Sequence, residues 1–272
     1  MKTGFIGAGN MGSALIRGVA SGEDRAGAKI RFFDSDSGKR RDVSAKLGIE
    51  CAPNSSELAE WADIIVLAVK PGEVKGVLGE IREKLVPSKL ILSVAAGVDT
   101  RTIEKTAAVN IPVVRAMPNT PAVMGLGAIA LCAGRYAAEE HLKRAEICLA
   151  SAGEVLMVEE EMMDSATAVS GSGPAYLFYL AEAMEEAGVR EGLSREASRM
   201  LVNQTLYGAS AMLVRQKAPP GELRRMVTSP GGTTEAAIKT LREGGFADLI
   251  KSAVKSARNK SSEIRELIST SE

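Results

Sequence analysis

The chain has 272 residues, 45% of them hydrophobic and 25% charged, with 34 basic side chains set against 34 acidic ones. Its length predicts two domains and its composition a sizeable buried core. Zero formal net charge gives nucleic acid or an anionic membrane no overall attraction, and no apolar run reaches spanning length, so a cytoplasmic protein with neither partner is expected. Cys51, Cys132 and Cys148 are scattered, which fits neither a disulfide framework nor a thiolate metal site, and no metal is expected. The single histidine, His141, sits in a charged stretch and reads as a solvated helical residue, removing imidazole-based mechanisms.

The opening dozen residues set the fold class. Thr3, Gly4, Phe5 and Ile6 form a short apolar run read as a buried strand, and residues 13–20 carry apolar side chains at helical spacing. Between them Gly7, Ala8, Gly9, Asn10, Met11 and Gly12 make a strand-to-helix turn of the Gly-x-Gly-x-x-Gly type, where a dinucleotide pyrophosphate docks. Gly7 permits the tight turn, Gly9 lets the backbone approach the phosphates, and Gly12 lets helix pack on strand. The helix N-terminus offers unpaired N–H groups to the anion. The competing readings are a glycine-rich turn without a ligand and a methyltransferase loop.

Residues 29–33 make a second strand ending in Asp34, the acid that the fingerprint places about twenty residues on. Such an acid hydrogen-bonds the adenosine ribose and repels a ribose phosphate, favouring NADH. Ser35, Ser37, Lys39, Arg40 and Arg41 follow at once and are equipped to hold that phosphate, so NADPH stays open. Asn54, Ser55, Ser56 and Glu57 read as a capping box, with Ser55 among the cofactor candidates. The apolar strand 63–69 then delivers Ala68, Val69, Lys70 and Pro71 to the edge where open α/β sheets bind ligands.

Strand 90–94 runs into Ala95, Ala96 and Gly97, small enough for a flat ring or ribose to approach the backbone, and Asp99 with Thr100 caps a helix. Strand 113–116 delivers Met117, Pro118, Asn119, Thr120 and Pro121, a proline-fixed loop that projects an amide and a hydroxyl toward a nicotinamide or substrate pocket. Strand 127–132, a helix over 138–152 and strand 155–158 complete a doubly wound sheet.

From Met162 onward the strand-helix alternation stops. Helical periodicity covers 175–187, 194–216, 233–242 and 246–267, so a Rossmann domain at 1–160 is expected to precede an all-helical domain at 161–272. The small residues along 194–216 suit close helix packing, within the chain or at a subunit interface. Thr228, Ser229, Pro230, Gly231, Gly232, Thr233, Thr234 and Glu235 precede a helix and offer backbone N–H groups and hydroxyls to a small anion such as a carboxylate. This second cradle is expected to face the first domain's crevice.

Segments 4–12, 68–71, 95–98, 115–121, 169–176 and 229–234 occur in the order found in the pyrroline-5-carboxylate reductases, and over essentially its full length the chain resembles that family. The resemblance implies a Rossmann domain followed by a helical dimerisation domain that intertwines with a second copy as a homodimer, with rings such as decamers as a further step. It also implies reduction of 1-pyrroline-5-carboxylate to L-proline by NAD(P)H, the last step of proline biosynthesis. By the same resemblance, residues 68–71 and 95–97 contact the cofactor, while Ser229, Gly232 and Thr234 bind substrate, joined by Val227, Gly231, Thr233 and Asn119. Asn119 is also a cofactor candidate. Thr234 and Lys70 are the catalytic candidates, Thr234 as the hydroxyl that touches the ring nitrogen. The family usually has a small neutral residue where this chain has Asp34, so its usual NADPH preference leans here toward NADH. Two other readings are a related imine or β-hydroxy-acid reductase, expected to show a catalytic lysine or acid in the helical domain, and a non-catalytic dinucleotide sensor, which leaves the second cradle without purpose.

Overall fold

The computed structural model describes residues 1–21 and 29–270. The chain forms two compact units: residues 1–172 with the stretch from Ser256 to the C-terminus, and Gly173–Lys255.

The first unit is built on eight strands: β1 (Lys2–Ile6), β2 (Lys29–Phe33), β3 (Glu50–Cys51), β4 (Ile64–Leu67), β5 (Leu90–Ser93), β6 (Val113–Met117), β7 (Gly127–Ala133) and β8 (Gly153–Met157). They lie in the order β3-β2-β1-β4-β5-β6-β7-β8. All neighbours pair parallel except β6 with β7. The helices of this unit are α1 (Asn10–Ser21), α2 (Ser37–Leu47), α3 (Ser55–Trp61), α4 (Val74–Ile81), α5 (Thr100–Ala107), α6 (Glu139–Leu149) and α7 (Met163–Ala166), the last continued by a π-helical turn at Thr167–Gly171.

β4 is apolar throughout and β1, β5 and β6 are largely so, because both faces of these strands are covered. Phe5, Val66, Leu92 and Val114 enter one core cluster, whereas their chain neighbours Ile6, Ile65, Ile91 and Val113 enter another. That split is the two-residue period of a strand expressed as two cores.

Several features differ from expectation. Residues 118–126 connect β6 to β7 through a 3₁₀ turn at Thr120–Met124, so the last part of the sheet is not a simple continuation of parallel strand-helix units. A parallel crossover needs about a dozen residues or more, and this connection is too short for one. The two-residue β3 carries no periodic signal. His141 Nδ1 accepts the Ala138 N–H at 2.9 Å and its side chain is only 13% exposed, so it closes the first turn of α6 instead of lying in solvent.

Arg115, in the middle of β6, is 1% exposed. It pairs with Glu160, whose Oε2 also accepts the N–H of Thr100 at 3.1 Å and its hydroxyl at 2.7 Å. Burying a guanidinium is costly unless it is paired, and this pair fixes the chain at the start of the segment leading to α7.

The second unit contains α8 (Gly173–Arg190), α9 (Arg195–Gln216), α10 (Pro220–Met226), α11 (Thr233–Glu243) and the first part of α12 (Phe246–Thr270). α8 and α9 approach closely at Gly188, where an added Cβ would stand 2.3 Å from Ser198 Oγ. Helix α10 lay outside the periodic segments of the sequence.

Candidate active site

The glycine turn is shaped by three different constraints. Gly7 has φ 100°, and a Cβ there would stand 2.5 Å from the Ala68 carbonyl oxygen. A Cβ on Gly12 would stand 2.2 Å from the Gly7 carbonyl oxygen. Beside Gly9 an added Cβ meets nothing within 4 Å, so this side of the turn is open. Gly7 donates its N–H to the Phe33 carbonyl at 2.8 Å and Ala8 donates to Asp34 Oδ2 at 2.7 Å. The N–H groups of Gly9, Asn10, Met11 and Gly12 have no partner among the described residues, as the first turn of a helix leaves them. An open approach with successive uncommitted donors at a helix N-terminus fits a dinucleotide pyrophosphate.

Asp34, 7% exposed, follows β2 directly. Its second oxygen accepts the Asp36 N–H at 2.9 Å, and Lys39 Nζ stands 3.8 Å from Oδ2. Asp36 caps α2 by accepting the N–H groups of Gly38 at 2.7 Å and Lys39 at 3.3 Å; the Lys39 and Gly38 bonds hold its carboxyl below the ordinary range. Arg40 donates to the carbonyls of Asp34 and Ser35 at 2.7 and 3.1 Å and lies 5.5 Å from the Phe33 ring centre. Two carboxylates therefore stand in this turn beside exposed Ser35, and part of the basic cluster is tied to the main chain.

Ala68, Val69, Lys70 and Pro71 leave the end of β4, with Lys70 exposed and its N–H donated to Glu73 Oε2 at 3.1 Å. Ala95, Ala96 and Gly97 leave the end of β5, and Gly97 holds φ 74°. Because β2, β1, β4, β5 and β6 are consecutive parallel neighbours, their carboxyl ends bring the glycine turn, Asp34, residues 68–71, residues 95–97 and Asn119 to one side of the sheet. The strand order reverses between β1 and β4, the place where open α/β sheets take ligands. Ser55, first in α3, donates its hydroxyl to Glu80 Oε2 at 2.7 Å. Asn119 uses both ends of its amide: Nδ2 donates to the Ser170 carbonyl at 3.1 Å and Oδ1 accepts the Ala128 N–H at 3.0 Å. It thereby ties the π-helical turn to the start of β7.

The other candidates lie in the second unit. Val227 follows α10 and is exposed, and Thr228 donates its hydroxyl to the Arg224 carbonyl at 2.6 Å. The turn closes with the Gly232 N–H donated to the Ser229 carbonyl at 3.0 Å, with Gly231 at φ 70°. Glu235 Oε2 accepts the Gly231 N–H at 2.8 Å. The N–H groups of Thr233, Thr234 and Glu235 and the hydroxyls of Ser229, Thr233 and Thr234 then have no partner among the described residues. Glu235 went unassigned in the sequence, although an acid in the first turn of a helix that starts at glycine is the signal of a backbone cap. Arg115 and Glu160 belong to no binding motif in the sequence; an arginine inside an otherwise apolar strand is the sign of a buried pair.

The buried cysteines Cys132 and Cys148 are held toward their protonated thiols. Burial pushes the Cys148 thiol up to about 11, and burial with the nearby Glu160 charge pushes Cys132 up as well. Among the described residues no cluster of His, Cys, Asp or Glu is arranged to hold a metal, and no helix is long and apolar enough to cross a membrane.

Residues 160–264 match the family model for pyrroline-5-carboxylate reductase dimerisation, and residues 2–97 match that for NADP oxidoreductase, coenzyme F420-dependent. A pyrroline-5-carboxylate reductase of Pseudomonas aeruginosa is 40% identical over 266 residues, 97% of each chain. The chain belongs to the pyrroline-5-carboxylate reductase family. Among solved structures, the pyrroline-5-carboxylate reductase of Coxiella burnetii superposes with a TM-score of 0.91 at 37% identity, covering 96% of this chain and 97% of the other. The Plasmodium falciparum pyrroline carboxylate reductase, solved with NADP bound, gives 0.84 at 33%, covering 97% and 98%. Within the pyrroline-5-carboxylate reductases the segment matched by residues 160–264 is the dimerisation region, which supports self-association of this chain.

Proposed function

We propose that this chain reduces 1-pyrroline-5-carboxylate to L-proline with a nicotinamide dinucleotide, as a cytoplasmic homodimer able to assemble into larger rings. The observation that carries this reading is the pair of uncommitted donor sets, one in each unit: the N–H groups of residues 9–12, and those of residues 233–235 with the hydroxyls beside them. Each suits one of the two anionic ligands the reaction requires.

When bound, the dinucleotide supplies hydride to the imine carbon. The glycine turn holds its pyrophosphate, residues 68–71 and 95–97 flank it, and Lys70 places a cation at the end of β4. Ser229, Gly232, Thr233 and Thr234 hold the substrate carboxylate, while Glu235 fixes the turn by capping Gly231. The Thr234 hydroxyl hydrogen-bonds the ring nitrogen. A protonated imine is already a good hydride acceptor, so no strong acid is needed, and placement supplies the rate. Correct orientation of two bound partners is worth about 7 to 11 kcal/mol of barrier.

The cofactor reading is NADH. Two carboxylates, Asp34 and Asp36, in the turn after β2 support it, since an acid after the second strand of a dinucleotide-binding fold disfavours a ribose phosphate, and Arg40 is already bonded to main-chain carbonyls.

The test is loss of reduced-cofactor absorbance when purified protein meets the cyclic imine with NADH or NADPH. Turnover with NADH is expected, and Thr234→Ala should lower kcat by about a hundredfold, the loss typical when one positioned hydrogen-bonding group at the reacting centre is removed. No turnover with either cofactor would end this reading; unchanged kinetics in the variant would end the role of Thr234.

A further inference from the structure

The last turns of α12 belong to the first unit and lie against the loop that follows β5. A Cβ built on Gly97 would stand 2.9 Å from Ile264 Cγ2 and 3.4 Å from Ile268 Cδ1, so glycine here is required by helix contact as well as by its φ of 74°. Ile268 packs onto the same core cluster as Ala95 and Val98. The helix is gripped by a buried acid. Asp164 of α7, 7% exposed, accepts the Ser261 hydroxyl at 2.8 Å on one oxygen and Arg265 Nε at 3.1 Å on the other. Arg265 also reaches Ser262 Oγ at 3.1 Å. The segment carrying Asp164 is itself held at Glu160 by Thr100, at the start of α5, and by Arg115. The contacts close a ring: the loop after β5 meets α12 at Ile264, α12 meets α7 at Asp164, and Glu160 returns to Thr100.

We propose that the end of α12 is part of the dinucleotide site, a wall that sets the 95–97 loop, with Ile264, Asp164, Ser261 and Arg265 as positioning residues. This rests on the reading above that residues 95–97 flank the cofactor. A surface exposing several polar side chains would not need both oxygens of a buried carboxylate; here they fix where one methyl group meets one glycine. Displacement on the order of an ångström at a reacting centre costs up to about a hundredfold in rate, so the loop's placement bears directly on hydride transfer.

The test uses the full chain. Ile264→Ala removes the γ-methyl group facing Gly97, whereas Ile264→Val keeps a γ-methyl there. For Ile264→Ala the KM for reduced cofactor should rise about tenfold, equivalent to about 1.4 kcal/mol, with the KM for the cyclic imine within about twofold; Ile264→Val should match the parent. Cofactor KM unchanged in Ile264→Ala, or both KM values rising together, would overturn the proposal whatever happens to thermal stability. Hydrogen exchange on the unaltered protein gives a second measurement independent of variant folding. Cofactor should slow exchange at 9–12, at 95–98 and at 261–268. Protection at 9–12 and 95–98 without any at 261–268 sinks this proposal alone; no protection at 9–12 or 95–98 sinks the cofactor reading and this proposal with it.

Discussion

Asp34 commits both carboxylate oxygens to backbone N–H groups, one from Ala8 in the glycine turn and one from Asp36. The charge is therefore held in place, unable to swing away from an incoming phosphate. Placing like charges against each other costs several kcal/mol at a binding surface. Asp34→Ser keeps a hydroxyl acceptor for Ala8 and removes the charge, so it should raise kcat/KM with NADPH relative to NADH by about tenfold or more, read from parallel steady-state assays. An unchanged ratio would remove Asp34 from cofactor choice. The acid itself was legible, because the fingerprint dictates an acid after the second strand. Its bond to Ala8 was not, since nothing local in residues 31–36 specifies a partner in another turn. The same holds for Glu235, whose neighbours advertise an anion site while the carboxylate itself caps the turn that forms it.

The segment 160–171 shows what an element owes to contacts distant in sequence. Glu160 is held by Arg115 and Thr100, Met163 is fully buried against β7, Asp164 is held from α12, and Ser170 accepts from Asn119. Between these ties the chain makes a short helix and a π-helical turn, a conformation that isolated propensity does not favour. Arg115→Met keeps most of the volume and leaves Glu160 without its cation. Removing one partner of a buried pair costs about 3 to 5 kcal/mol, and the partial exposure of Glu160 reduces that here to about 2 kcal/mol. The expected result is a lower thermal midpoint at fixed protein concentration; a variant as stable as the parent would show that the pair contributes nothing net. Strands β1, β4, β5 and β6 were legible because burial on both faces writes short, largely apolar runs, and α3 because Asn54 caps it by accepting the Glu57 N–H at 2.8 Å. β3, the reversed β7 and the π-helical turn depend on pairings that leave no period in the sequence.

On α8 the consecutive residues Leu177, Phe178 and Tyr179 are 52%, 65% and 74% exposed, and no residue of the helix is buried. Successive helical positions are about 100° apart, so these three spread apolar surface around more than half of the helix. A helix apolar over so wide an arc is stable only when covered, and large permanent interfaces are the apolar ones. Tyr207 and Val214 on α9, at 66% and 75%, extend the same unburied apolar character within the unit. The dimerisation match over residues 160–264 supports self-association of this chain, and we propose that α8 lies in that interface. Sedimentation should therefore show a dimer or a larger assembly at micromolar concentration, with a thermal midpoint that falls on dilution, because folding and association are then linked. Tyr179→Lys together with Phe178→Asp places unpaired charges in that interface and should yield a smaller, less stable species. A monomeric parent protein with a midpoint independent of concentration would mean that these helices hold together without a partner.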